Sequence, residues 1–92
     1  MVEIYEKPII TKFVRINGIE FELKKLLGCL YELSEADGAL KGYEIISDLD
    51  IIDKLVEFGL FNSFIGSRMA QFYSIKDKER VNALIKELEE VL

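Results

Sequence analysis

The stretch from Leu55 to Ile75, LVEFGLFNSFIGSRMAQFYSI, limits the fold more than any other part of this chain. Leu49, Ile52, Leu55 and Val56 recur at helical spacing, which puts them on the inner stripe of a helix running to Phe58. Gly59 is a natural stop, because glycine takes the left-handed conformation that closes a helix. Beyond Leu60 the period changes from helical to alternating. Phe61 to Ile65 and Met69 to Ile75 read as paired strands around a small polar tip, Gly66-Ser67-Arg68. Tyr73 and Ile75 then face inward, with Phe72 and Ser74 on the opposite face.

Upstream, Ile9 to Ile16 is rich in β-branched and aromatic residues and reads as a strand. Asn17-Gly18 is a strong two-residue hairpin signal. Ile19 to Leu23 either returns as a second strand or opens the first helix, so residues 1–21 are expected to form an N-terminal strand or hairpin. Leu23, Leu26, Leu27, Leu30 and Leu33 predict an amphipathic helix ending near Asp37-Gly38. A short second helix is predicted over Leu40 to Ile46. Ser47, with Asp50 three residues on, looks like a capping box for the third helix. Asp77 to Leu92 predicts a last helix with an apolar stripe of Val81, Leu84, Ile85, Leu88, Val91 and Leu92. The predicted order is strand, three helices, two strands and a final helix, in one α+β domain spanning residues 1–92.

Composition narrows the function. Half of the 92 residues are hydrophobic, enough for one core, and no apolar run approaches the roughly 20 residues that span a bilayer. The opening MVEIYEKP holds acids and no apolar signal core, so no secretion signal is expected. Cys29 is the single cysteine, so no internal disulfide is expected and a reducing cytoplasm fits best. It lies near the buried face of the first helix and is expected to be a small core residue. The chain has no histidine, which removes imidazole bases, Ser-His and Cys-His nucleophile pairs and His-containing zinc sites. No nucleotide-binding glycine loop or metal cluster is present in the sequence. A non-enzyme with no cofactor and no metal is expected. Abundant Ile, Lys and Glu with a single Gln, Gln71, lean toward a thermophile.

The ordered set of features from Leu23 onward resembles the small winged helix-turn-helix regulators of archaea and their viruses, with similar segments in MarR-like and PadR-like proteins. The matching residues are Leu55-Val56-Glu57-Phe58-Gly59-Leu60 at the end of the third helix, the wing strand Tyr73-Ser74-Ile75, and the polar turn Lys76-Asp77-Lys78. The resemblance divides the chain into an N-terminal strand or hairpin (1–21), the helix-turn-helix and wing (22–76), and a C-terminal helix (77–92). It implies a duplex-DNA-binding transcriptional regulator. It also implies a homodimer through the C-terminal helix, with Val81, Leu84, Ile85, Leu88, Val91 and Leu92 at the interface.

The charge pattern complicates this. The net charge is −5, whereas a nucleic-acid binder is expected to carry a basic footprint. Residues 29–62 hold two basic and eight acidic side chains, while residues 63–80 hold four and two. In the resembling proteins the third helix enters the major groove, which would present Asp50, Asp53, Lys54 and Glu57 to the DNA. Three of these are acidic and phosphate repels them. The acids read first as a solvated face, then as a surface for a basic protein partner, and last as direct base readers. The wing suits DNA better: Gly66, Ser67 and Arg68 form a small tip whose cation can enter an A·T-rich minor groove. Lys76 follows it, and Lys41 and Tyr43 are placed to reach phosphates. The DNA-contacting candidates are therefore Arg68, Ser67, Gly66, Lys54, Lys41, Tyr43 and Lys76. Phe64 and Ile65, beside the tip, either pack under the wing or meet a partner. The alternative to DNA binding is a protein-interaction module that docks through the acidic third helix.

Overall fold

Two three-stranded antiparallel sheets and three α-helices build an α+β architecture in the computed structural model, which describes residues 2–6 and 11–92. The first sheet comprises β1 (Val2–Glu6), β2 (Lys12–Ile16) and β3 (Ile19–Glu22), in that spatial order. Asn17 (φ 50°) and Gly18 (φ 83°) make the tight turn between β2 and β3, pairing Ile16 with Ile19. Both central residues of a two-residue type I′ turn need positive φ, and Asn-Gly adopts it readily. The ambiguity over residues 19–23 resolves as strand through Glu22, with the helix starting at Leu23. Of the predicted strand from Ile9 to Ile16, Lys12–Ile16 is strand and Thr11 is not, while Ile9 and Ile10 lie outside the described residues.

Helix α1 (Leu23–Glu35) carries the core, burying Leu23, Leu26, Leu27, Cys29, Leu30 and Leu33. It packs against the first sheet, both other helices and the second sheet. The Cys29 thiol is fully buried and donates to the Asp48 carbonyl at 3.4 Å. Burial pushes its pKa up, the condition of an inert thiol.

The predicted second helix over Leu40 to Ile46 does not form. Leu40 and Lys41 instead make a short strand, β4, paired with Tyr73 and Phe72, and Gly42–Glu44 is a single 3₁₀ turn. The ladder bonds offered by a neighbouring strand outweigh the helical spacing of a few apolar residues. The Glu44 carboxylate accepts from the Lys41 amide at 2.9 Å and closes the turn. The chain beyond it is held by Glu32 of α1, whose carboxylate accepts from the amides of Ile46 (2.8 Å) and Ser47 (3.1 Å) and from the Ser47 hydroxyl.

That tether also corrects the predicted cap. Ser47 is spent on Glu32, and Asp48 is the residue that caps α2 (Leu49–Glu57), its side chain accepting from the amides of Asp50 and Ile51. Ile52 and Leu55 are fully buried, while Leu49 is largely exposed. Gly59 (φ 81°) ends the helix as predicted. Strands β5 (Phe61–Ile65) and β6 (Gln71–Ile75) form the ribbon, and β6 lies between β4 and β5 in the second sheet. Phe61 and Tyr73 point into the core.

Asp77 caps α3 (Lys78–Glu89), accepting from the Arg80 amide. Val81, Leu84 and Leu88 are buried in the same core, against α1. Arg80 reaches back to donate to the Phe58 carbonyl at 3.3 Å, so a cation sits at the C-terminal end of α2, where the helix dipole favours it. Lys12 likewise donates to the Val91 carbonyl at 2.6 Å and ties the first sheet to the end of α3. Among the described residues no helix is long and apolar enough to cross a membrane.

Candidate nucleic-acid interface

Four of the seven DNA-contacting candidates meet in one place. Lys41, Tyr43, Ser67 and Arg68, together with Ala70, line a single cleft. The register explains this: Lys41 pairs with Phe72, so the chain entering the 3₁₀ turn runs beside the strand that leaves the ribbon tip. The Lys41 ammonium stands 5.6 Å from the centre of the Tyr43 ring, a cation–π distance. Hydrogen bonding to the Tyr43 side chain raises the Lys41 pKa and keeps the cation charged. Tyr43 itself is 78% exposed, so its ring and hydroxyl are open to a partner.

The tip is more sharply built than the sequence suggested. The Ala70 amide donates to the Ser67 carbonyl at 3.2 Å, closing a four-residue turn whose central residues are Arg68 (φ 58°) and Met69 (φ 60°). Below it the Gly66 amide donates to the Ala70 carbonyl at 2.8 Å. Residues with a Cβ hold the left-handed conformation at a cost of about 1–2 kcal/mol each. Gly66 is required for packing, since a Cβ there would collide with the Phe72 ring. Phe72 stacks on Phe64 at 5.3 Å between centroids and 8° between planes, and Phe64 stays 45% exposed. Ile65 and Met69 remain 57% and 83% exposed. Met69, one residue past the predicted tip, was not among the candidates. Nothing in the hydropathy pattern marks it, because a strand reading of 69–75 absorbs it.

Lys54 and Lys76 do not line the cleft. Lys54 pairs with Glu57 on α2 at 3.5 Å. Lys76 follows β6, where its amide donates to the Leu60 carbonyl at 2.9 Å and its side chain is exposed.

The acids of α2 have structural roles that sequence could not reveal. Asp48 caps the helix and Glu57 faces Lys54. Asp53 accepts a hydrogen bond from the Tyr73 hydroxyl at 2.8 Å. Burial and that bond together raise the Tyr73 pKa, so the hydroxyl stays protonated as the donor. Among the described residues no group of three or more His, Cys, Asp and Glu side chains is arranged to hold a metal.

The apolar stripe of α3 is not a free face. Val81, Leu84 and Leu88 are consumed by the chain's own core, and Ile85 and Val91 are half-buried against it. Leu92, at 61% exposure, is the most open of the six. No family model matches this chain, and no curated protein or solved structure does either.

Proposed function

We propose that this protein is a winged-helix regulator that binds duplex DNA through its ribbon tip and the adjoining 3₁₀ turn. The observation that carries the reading is the convergence of Lys41, Tyr43, Ser67 and Arg68 on one cleft. Two cations, a hydroxyl and an aromatic phenol are the side chains that bind phosphate and sugar. The strand order β4-β6-β5 behind α1 and α2 supports the same reading, with the second helix of the motif reduced to a 3₁₀ turn. Contact is led by the wing, because α2 presents Asp50 and Glu57 toward solvent and suits the major groove poorly. The reading does not need α3 to pair with a second copy. A dimer of the expected kind would sediment at twice 10.6 kDa.

The test is binding of labelled duplex fragments across a salt series, with Lys41→Ala and Arg68→Ala beside the wild type. Binding should weaken steeply with salt, and each substitution should lower the slope by about one. A folded wild type that leaves duplex DNA unbound at low salt would sink the reading.

A second reading has one observation in its favour. Ile46 is 94% exposed and Leu49 39% exposed, beside Asp48 and Asp50 at the start of α2. An apolar pair framed by carboxylates suits a basic amphipathic segment of a partner protein. Ile46→Ser would abolish such a contact and leave DNA binding unchanged.

A further inference from the structure

The ribbon tip holds a residue that neither turn geometry nor packing calls for. Arg68 and Met69 occupy the two central positions of the turn closed from Ser67 to Ala70, and both are left-handed. Glycine or asparagine would occupy these positions at lower cost. Met69 contributes nothing to the core, being 83% exposed. Its neighbours Ser67 and Ala70 are small, so the side chains of Arg68 and Met69 stand clear of the ribbon. The tip beneath them is pinned by the bond from Gly66 to Ala70 and by the Phe64–Phe72 stack. A rigid support thus presents one cation and one unbranched apolar side chain, side by side, next to a cleft lined by Lys41 and Tyr43.

Proteins that enter the minor groove read its width with cations and insert apolar side chains between base steps, which unstacks the step and kinks the duplex. We propose that Met69 is such a wedge: as Arg68 enters the minor groove, the Met69 thioether chain inserts at a base step and bends the DNA. The inference rests on the DNA-binding reading above. Its chemistry favours pyrimidine–purine steps, which unstack most easily. Bending would bring the flanking phosphates toward Lys41 and Tyr43, so the kink and the cleft act together.

Bending and binding can be measured separately. Short duplexes with a randomised centre and a donor and acceptor dye at opposite ends report binding by anisotropy and bending by energy transfer. The full chain is compared with Met69→Ala, Met69→Gly and Arg68→Ala. Met69→Gly relaxes the backbone, so lost bending in that variant is not a folding defect. The expected result is a wild-type bend in the range of roughly 20–90°. Both Met69 variants should bind within about threefold of wild type and lose most of the bend, because unstacking and the contacts it permits nearly offset each other. Arg68→Ala should weaken binding and bending together. A wild type that binds straight DNA, or Met69 variants that bend as strongly as wild type, would overturn the wedge and leave the DNA-binding reading intact. A folded wild type that does not bind the duplexes at low salt overturns both, and capture by anionic vesicles in that case would reassign the tip to a lipid surface.

Discussion

The chain makes the same kind of tight turn twice with opposite residue choices. At the β2–β3 hairpin, Asn17 and Gly18 hold positive φ with the side chains that adopt it most readily. At the β5–β6 ribbon, Arg68 and Met69 hold φ values of 58° and 60° with side chains that resist it. The first turn is a folding device: it sets the register of Ile16 against Ile19 and exposes nothing else of chemical interest. The second achieves a similar reversal at a cost in stability, and in return displays a cation and a thioether. Strain retained where a cheaper residue would serve points to a use for the side chain.

Exchanging the turns is the most direct way to break this comparison. Asn17→Arg with Gly18→Met should destabilise the fold by about 1–3 kcal/mol, since Gly18→Met costs about 1–2 and Asn17→Arg adds less. Denaturant unfolding measures it, and an unchanged midpoint would mean that left-handed strain is not what distinguishes the two sites. Gly66→Ala comes next, at about 1–3 kcal/mol, because the added methyl meets the Phe72 ring and the Phe64 stack must shift. DNA binding should weaken with it, since the tip loses its support. The reverse exchange, Arg68→Asn with Met69→Gly, should raise stability by about 1–2 kcal/mol while abolishing tight DNA binding. Stability and binding moving in opposite directions is the signature of a strained functional tip.

Tyr73 tests the other end of the same ribbon. Tyr73→Phe removes the bond to Asp53 but keeps the buried ring. The loss should be about 0.5–1.5 kcal/mol, the net worth of one hydrogen bond. Asp53→Asn should cost less, because the amide oxygen still accepts from the hydroxyl. If Asp53→Asn improves DNA binding while Tyr73→Phe does not, the acidic face of α2 opposes the nucleic acid even with its carboxylate engaged.

What could be read from the sequence follows the same division. Signals carried by neighbours in the chain were legible: the Asn17-Gly18 turn, the Gly59 stop, the inward face of Tyr73 and Ile75, and the stripes of α1 and α3. The sequence marks Lys41, Tyr43, Ser67 and Arg68 one by one, and only the fold shows that they share one cleft. Choices decided by distant partners were not legible. Ser47 and Asp48 can both cap a helix, and the Glu32 carboxylate, fifteen residues away, takes Ser47. Leu40 and Lys41 follow the ladder offered by β6, thirty residues on, and leave the predicted helix. The role of Asp53 depends on a contact across 20 residues, so charge pattern alone left it as solvated face or partner surface. The α3 stripe was legible as apolar, but its burial by α1 within one chain was not.

Glu32 gives the smallest expected effect and separates the segment before α2 from the Asn17-Gly18 turn by pH. Burial pushes its pKa up, but the hydrogen bonds from Ile46 and Ser47 outweigh this and leave it lowered. A lowered folded value means that Glu32 contributes stability in full above the ordinary carboxylate range. That contribution is lost as pH falls through the folded value. Protonation should release the amides of Ile46 and Ser47, which hold the segment between Tyr43 and α2. Hydrogen exchange at those two amides should therefore lose protection as the pH drops below the carboxylate range, after correction for the intrinsic rate. Amides around Asn17-Gly18 should keep theirs over the same interval, because that turn is held by backbone bonds and conformation. Glu32→Gln should show weak protection at 46 and 47 at every pH and no step in acid. A step that persists in Glu32→Gln would place the titrating group elsewhere on the segment.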